Sequence, residues 1–233
     1  MTFTISIIIP TKNEATQLPV LLHYLNEVSG KEHIAEIIVT DGMSTDETVH
    51  IANLYGAKVV INQQLGRGKQ MNTGAKNATG NVLYFLHADS FPPKSFVNDI
   101  LEKLHSGDVA GCYRLGFDDD HWFLKANAWF TRFNVNEVRF GDQSLFVLKS
   151  VFESIGGFRE DLIIMEDQEI IHRICKKGSF TVIADYITTS ARKYRVNGIY
   201  RMQGVFFYIY FAYVFGVSQQ KLITIYKKRI KPS

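Results

Sequence analysis

Cysteine is scarce in this chain. Two thiols in 233 residues, Cys112 and Cys175, cannot build a disulfide scaffold or fill a four-ligand zinc site by themselves. They read as reduced core thiols, and a cytoplasmic setting is the default expectation. Proline is limited to five residues. No stretch rich in Gly, Ser or Pro marks a linker, and no repeat or low-complexity segment is visible. The apolar run Gly204 to Val217 has 14 residues, short of the ~20 that a bilayer span needs. Residues Met1 to Ser6 carry no basic segment ahead of the apolar run and do not read as a signal peptide. No G-x-G-x-x-G follows the first apolar strand and no G-x-x-x-x-G-K-[ST] occurs, which excludes a standard dinucleotide site and a P-loop NTPase. What is present is an ordinary globular balance, 46% hydrophobic and 21% charged, enough to bury a core without staples and incompatible with disorder or a collagen-like design.

Acids are missing from one region altogether. From Tyr186 to Ser233 there is no Asp or Glu but nine bases: Arg192, Lys193, Arg195, Arg201, Lys221, Lys227, Lys228, Arg229 and Lys231. The overall charge of +3 therefore divides into an acidic body of −6 over the first 185 residues and a basic tail. Such a tail suits an anionic partner, whether nucleic acid, a membrane surface or a phosphorylated substrate.

The first hundred residues alternate strand and helix patterns. Ile5–Ile9 is a β-branched run closed by Pro10, the mark of a buried parallel strand. Leu18, Leu21, Leu22 and Leu25 follow at helical spacing. Strands are expected at Glu36–Thr40, Lys58–Ile61 and Val82–Leu86. A helix is expected to open at a Ser44/Glu47 capping box and run toward Tyr55, and another to cover Lys69–Ala78. This order implies a right-handed, doubly wound parallel sheet, in which ligands bind beyond the carboxyl ends of the strands. The second half predicts strands at Val109–Phe117, Ser144–Leu148 and Phe180–Ala184, and helices at Trp122–Phe133, Val151–Ile155 and Glu166–Lys177. The sum is a mixed sheet in one continuous domain.

The polar residues just after the strands are the candidates for chemistry. Strand one ends in Pro10-Thr11-Lys12-Asn13-Glu14 and strand two in Asp41-Gly42-Met43-Ser44-Thr45-Asp46. An Asp in that place accepts from a base N–H or a ribose hydroxyl, although Asp-Gly serves equally as turn chemistry. Gly66-Arg67-Gly68-Lys69-Gln70 offers close backbone approach and two cations beside a helix N-terminus, which suits phosphate oxygens; a basic loop capping a helix is the plainer alternative. His87-Ala88-Asp89 ends strand four. Asp89 can ligate a hard divalent cation whose other ligands come from phosphate and water. His87 is a second ligand for a manganese-like ion or simply a packed side chain. Asp118-Asp119-Asp120 reads as capping and solvation. Glu166-Asp167 sets adjacent carboxylates at a helix start, fit for a general base or merely for a first helical turn.

Together these segments resemble the family 2 glycosyltransferases, in order from Ile5 to about Gly178, with Phe85–Asp89, Gly141-Asp142-Gln143 and the short length most similar to small single-domain bacterial members. The resemblance implies the GT-A fold: α/β, with a Rossmann-like, mainly parallel mixed sheet flanked by helices. Residues 1–185 would form it, a nucleotide-binding half to about 107 and an acceptor half over 108–185, with 186–233 a basic, aromatic helical extension of the same domain. It implies an inverting, metal-assisted transfer of a sugar from a nucleotide diphosphate, UDP favoured and GDP the alternative, to an acceptor hydroxyl. Pro10, Thr11, Asn13, Glu14, Asp41 and Ser44 would hold the nucleoside. Arg67, Lys69 and Gln70 would cover the diphosphate, together with His87 and Ala88. Asp89 would bind manganese or magnesium, and Asp142 and Gln143 would face the donor sugar or serve structure. Gly156 and Gly157 would shape the acceptor groove, Asp167 would be the general base, and Glu166 would support it. One departure from the family pattern is His87 at the first position of the D-x-D-type motif. The acceptor, whether glycan, lipid or small molecule, is not legible. The expected setting is cytoplasmic, with peripheral contact to an anionic membrane, no nucleic-acid partner, and a homodimer compatible with the sequence. Two rival readings are a non-catalytic nucleotide-sugar binding module with a degraded metal motif and a sugar nucleotidyltransferase. The second would carry a Gly-rich, Arg-containing loop where Thr11-Lys12-Asn13-Glu14 stands.

Overall fold

A computed structural model describes residues 2–64, 66–136, 139 and 141–231. Its centre is one eight-stranded sheet. The strands are β1 (Ile5–Thr11), β2 (Ile34–Asp41), β3 (Lys58–Ile61), β4 (Val82–Phe85), β5 (Ser90–Phe91), β6 (Ala110–Phe117), β7 (Leu145–Leu148) and β8 (Phe180–Thr189), in the spatial order β3-β2-β1-β4-β7-β6-β8-β5. The pairs β3–β2, β2–β1 and β1–β4 are parallel; β4–β7 and β7–β6 are antiparallel; β8 runs parallel to β6 and antiparallel to β5. The chain leaves β1 toward β2 on one side and returns to β4 on the other, so the topological switch lies between β1 and β4, where Thr11 and His87 emerge.

Alternation along the strands fills both faces. Ile5, Ile7, Ile9, Val82 and Tyr84 pack with the helices α1 (Leu18–Leu25), α2 (Thr48–Leu54) and α4 (Phe96–His105). Ile8, Ile38, Leu83 and Phe85 pack on the opposite face with α3 (Arg67–Asn77), α6 (Lys149–Ser154) and α7 (Glu166–Ile174). A third cluster joins α5 (Trp122–Phe130) to α8 (Arg192–Asn197), α9 (Ile199–Val214) and α10 (Gln219–Arg229).

Several expectations are revised. β1 continues through Pro10. Leu86 N–H donates to Ile8 O, so the even-numbered residues of β1 face β4, and Pro10, which has no N–H, faces the place where β4 has already ended. Ser44 does not cap α2. Glu47 is the cap residue, and Asp46 instead accepts from Thr48 N–H at 3.1 Å. Ser44 is used elsewhere, as described below. α4 and β5 were not anticipated. β8 runs to Thr189, so the boundary expected between residues 185 and 186 falls inside a strand.

The close seat of α3 on the sheet depends on Gly74, where a Cβ would lie 2.4 Å from Ile8 Cγ2 and 3.0 Å from Thr40 Cγ2. Gly74→Ala is expected to destabilise the fold by ~1–3 kcal/mol through overpacking. A lowered denaturation midpoint at unchanged m-value checks it; an unchanged midpoint would contradict this account of the helix seat.

Candidate active site

The loops after β1 and β2 are laced together. Asn13, at φ +56°, donates its N–H to Ser44 Oγ at 2.8 Å, and its Oδ1 accepts from Thr45 N–H at 2.8 Å. Glu14 N–H donates to Thr48 Oγ1 and Ala15 N–H to Asp46 Oδ2. Asp41 is fully buried: its Oδ2 accepts from Ser44 N–H at 2.8 Å, and its Oδ1 accepts from the hydroxyls of Ser44 and Thr11 at 2.5 and 3.3 Å. Gln70, reaching over from α3, donates to both Thr11 O and Thr40 O at 2.7 and 2.8 Å. Thr11, Asn13, Asp41, Ser44 and Gln70 are therefore brought to one place. Gln70 acts there by tying two strand ends together, its amide nitrogen engaged by the two carbonyls.

A cleft opens next to these loops, lined by Pro10, Arg67, His87, Gly141, Glu166 and Asp167. α3 begins at Arg67, two residues earlier than expected, which sets the guanidinium in the first turn facing the carboxylates. Burial works against its charge, but Glu166, Asp142 and Asp167 hold it protonated. Lys69 forms no ion pair among the described residues. Burial pushes the His87 imidazole down to about 3, with Arg67 adding to the shift, so the ring is neutral. Its Nε2 lies 3.2 Å from where a Cβ on Gly141 would stand, and the ring is hydrogen-bonded to the Gly141 backbone. Ala88 turns into the core and offers no side chain to a donor. Gln143, grouped with the donor-sugar candidates, is fully buried and donates to Tyr113 O at 2.9 Å, bracing β6. Asp142, on the same turn, is the partner that faces the charged cluster.

At the far side of the cleft, Met165 takes φ +69° and α7 starts with Glu166 and Asp167. Asp167 Oδ2 accepts from Gly141 N–H and its Oδ1 from Gln168 N–H at 2.9 Å. Burial raises its carboxyl against these bonds and against Arg67. Glu166 is only 6% exposed and packs against Gly68. Burial, with Asp167 adding, raises it to about 7 although Arg67 opposes the shift. A carboxylate raised in the folded state favours folding while it is protonated, and loses that contribution as pH climbs from the ordinary value toward the folded one. Stability of the ligand-free protein is therefore expected to fall from about pH 4.5 to about pH 7, and Glu166→Gln is expected to flatten the upper part of that fall. Urea melts across this range check it; an identical pH slope in the variant would contradict the assignment.

The turn before α7 is held from two sides. Asn72 on α3 donates to Phe158 O and accepts from Phe158 N–H, both at 2.9 Å, and Arg173 donates to Ile155 O and Gly157 O. Gly157 has φ +69°, and a Cβ there would fall 2.6 Å from Asn72 Oδ1; Gly156 has φ +76° and faces open space. Backbone conformation and packing on Asn72 account for the glycine at 157, and Gly156 shares its left-handed turn. Asn72→Ala leaves both Phe158 backbone groups without partners, and an expected cost of ~1–3 kcal/mol is checked by thermal melting.

Asp89, two residues beyond the cleft residue His87, is partly buried. Burial raises its carboxyl, as does Asp142, against Lys193, Arg192 and Arg67. Arg192 stands 3.9 Å from Asp89 and 3.4 Å from Glu14. Arg192 and Lys193 stand beside the candidate site residues Glu14 and Asp89, although the sequence places them only in the basic tail. The signal was there: they are the first cations of the acid-free segment, directly after a strand. Arg195, exposed, pairs at the surface with Asp118 and Asp119. Asp119 also accepts from His121 N–H, but the residue that caps α5 is His121, whose Nδ1 accepts from Phe123 N–H at 3.2 Å, in place of the acidic cap expected; Asp118 holds Ala191 N–H at 2.6 Å. Among the described residues no three His, Cys, Asp or Glu side chains form a metal cage. A single carboxylate facing a cationic rim fits a hard divalent ion only when phosphate and water oxygens complete the shell.

The sequence profile described as glycosyl transferase family 2 matches residues 6–163, and the chain belongs to that family of enzymes. A PGL/p-HBAD biosynthesis glycosyltransferase of Mycobacterium bovis BCG is 40% identical over 90 residues, 36% of this chain and 34% of that protein; the Mycobacterium tuberculosis protein of the same description matches equally. The match thus spans about a third of these curated relatives. Among solved structures, the mannosyltransferase PcManGT from Pyrobaculum calidifontis, in complex with GDP-Man and Mn²⁺, superposes with a TM-score of 0.74 at 18% identity, over 92% of this chain and 65% of that one. S. aureus TarS 1–349 in complex with UDP-GlcNAc gives 0.68 at 20% identity, over 80% and 58%. These likenesses show the GT-A fold.

Proposed function

We propose that this protein transfers a sugar from a nucleotide diphosphate to an acceptor hydroxyl with inversion at the anomeric carbon, UDP-sugars preferred and GDP-sugars the alternative. The observation that carries the reading is one cleft holding Asp167, Arg67 and His87 beside the laced loops of Thr11, Asn13 and Asp41. Relatives of the same fold bind UDP-GlcNAc and GDP-Man with Mn²⁺, which supports the donor class.

In this reading the β1 and β2 loops seat the nucleoside, with Asp41 and Ser44 fixing the loop backbone. Arg192, Lys193 and Arg67 neutralise the diphosphate as it leaves. Asp89 would hold a manganese or magnesium ion, which when bound adds positive charge at the leaving oxygens. Asp167 accepts the proton of the acceptor hydroxyl as its oxygen bonds to the anomeric carbon and the carbon–phosphate-oxygen bond breaks. Glu166, buried behind Arg67, keeps that guanidinium charged and in place. Gly156 and Gly157 set the turn that leads to α7 and border the acceptor side.

Thermal-shift titration with UDP and GDP, each with and without Mn²⁺, tests the donor reading, because a ligand selective for the folded state raises apparent stability by mass action. The expected result is a larger shift with UDP, increased by Mn²⁺. No shift with either nucleotide would overturn the reading.

A further inference from the structure

The carboxyl-terminal helices carry a surface that the transfer reaction does not use. α9 buries Met202, Val205 and Ile209 against α5, α8 and α10, yet its outward side is also apolar. Tyr200, Gly204, Phe207, Tyr208, Phe211, Val214 and Phe215 recur at helical spacing along one exposed stripe. Phe211 is 56% and Phe215 83% exposed. The stripe continues onto α5, where Trp122, 65% exposed, lies with its ring centroid 6.5 Å from that of Tyr200. No helix among the described residues is long and apolar enough to cross a membrane.

Charge selects among occupants. Lys221, Lys227, Lys228, Arg229 and Lys231 on and after α10 are exposed and form no ion pair among the described residues. Arg229 lies over the Tyr208 ring at 5.6 Å, so the cations border the aromatic stripe. α9 and α10 carry no Asp or Glu, and an apolar aromatic surface bordered by their cations matches a bilayer interface with anionic headgroups; the exposed Asp120 lies at the Trp122 end of the stripe, paired with Lys125. A second copy would set these cations against one another if the stripes paired face to face.

The same hairpin grips the active site. Gln219, four residues after Phe215, accepts from Ile163 and Ile164 N–H and donates to Ile164 O, each at 3.1 Å. These residues lead into Glu166 and Asp167. We propose that the α9–α10 hairpin with Trp122 docks this protein on an anionic lipid surface, with the turn before α7 held next to the bilayer. Docking is independent of the transfer chemistry, so failure of one leaves the other standing.

The test uses the full chain and vesicles of phosphatidylcholine alone or with about a quarter phosphatidylglycerol. At least ~10-fold tighter co-sedimentation with the anionic vesicles is expected, weakening as salt rises. Brominated lipid is expected to quench tryptophan fluorescence, with the quenching reduced in Trp122→Phe. Phe207→Ser/Phe211→Ser/Phe215→Ser should lose the binding, and Lys227→Glu/Lys228→Glu, a surface change that leaves the helix packing intact, should lose the preference for anionic lipid. Absent or salt-insensitive binding, binding unchanged in both variants, or quenching unchanged in Trp122→Phe would overturn the proposal. So would a dimer in sedimentation velocity that the aromatic variant alone dissociates, which would identify a second copy as the occupant.

Discussion

Asp167→Asn is expected to keep donor affinity and to lower turnover by roughly 10²–10⁴-fold, the usual worth of a positioned general base. Each Asp167 oxygen accepts one backbone N–H, from Gly141 and from Gln168. Each therefore keeps a lone pair for an acceptor proton. Asparagine keeps the shape but loses basicity, and its amide nitrogen cannot accept the backbone N–H it would face, so one of the two orienting bonds is lost as well. Glu166 is nine-tenths buried against α3 and cannot meet an acceptor without leaving Arg67, so Glu166→Gln is expected to cost less. Both variants must melt close to wild type and be assayed at saturating donor and metal. Wild-type turnover in Asp167→Asn with an inactive Glu166→Gln would reverse the two roles, and full activity in both would remove the proposed reaction.

Asp89→Ala is expected to abolish the gain in nucleotide-diphosphate affinity that Mn²⁺ provides, a loss exceeding the ~10–100-fold cost of changing an outer partner of a metal ligand. The carboxylate is already largely desolvated and flanked by Arg192. Its removal takes away the anionic pole facing those cations while leaving the core around Ala88 in place. Calorimetric titration with UDP, with and without Mn²⁺, is the measurement. Undiminished manganese dependence in the variant would remove Asp89 as the ligand.

The parallel half was legible because β1, β4 and the last four residues of β2 are buried on both faces and announce themselves as short apolar runs, and because the polar ends of such strands gather at one edge of the sheet. Thr11, Asn13, Asp41 and Ser44 could thus be named as a group. Their division of labour could not. Gln70 reads as a donor ligand in a Gly-Arg-Gly-Lys-Gln run, but its target is two backbone carbonyls. Ser44 reads as a helix cap because S-x-x-E is a local pattern, yet its hydroxyl is taken by Asp41, three residues before it, and by Asn13, 31 residues away. Arg192 and Lys193 were counted as tail charge because their nearness to Glu14 and Asp89 depends on β8 returning beside β5. α4 was missed between two better-marked strands although it buries Phe96, Val97, Ile100, Leu101 and Leu104.

That return of β8 has a consequence for synthesis on the ribosome. β5 pairs with nothing but Thr188 and Thr189 among the described residues, and Asp89 O is held by Ser190 N–H. The bonds that lace Thr11 and Asp41 together come from residues within the first 70, but the backbone of Asp89 waits for residues about a hundred positions downstream. At ~5–20 residues per second, roughly 5–20 s of synthesis separate the partners of the β1 and β2 loops from the partners of Asp89. A chain arrested before residue 188 is expected to lack the partners of Asp89 permanently.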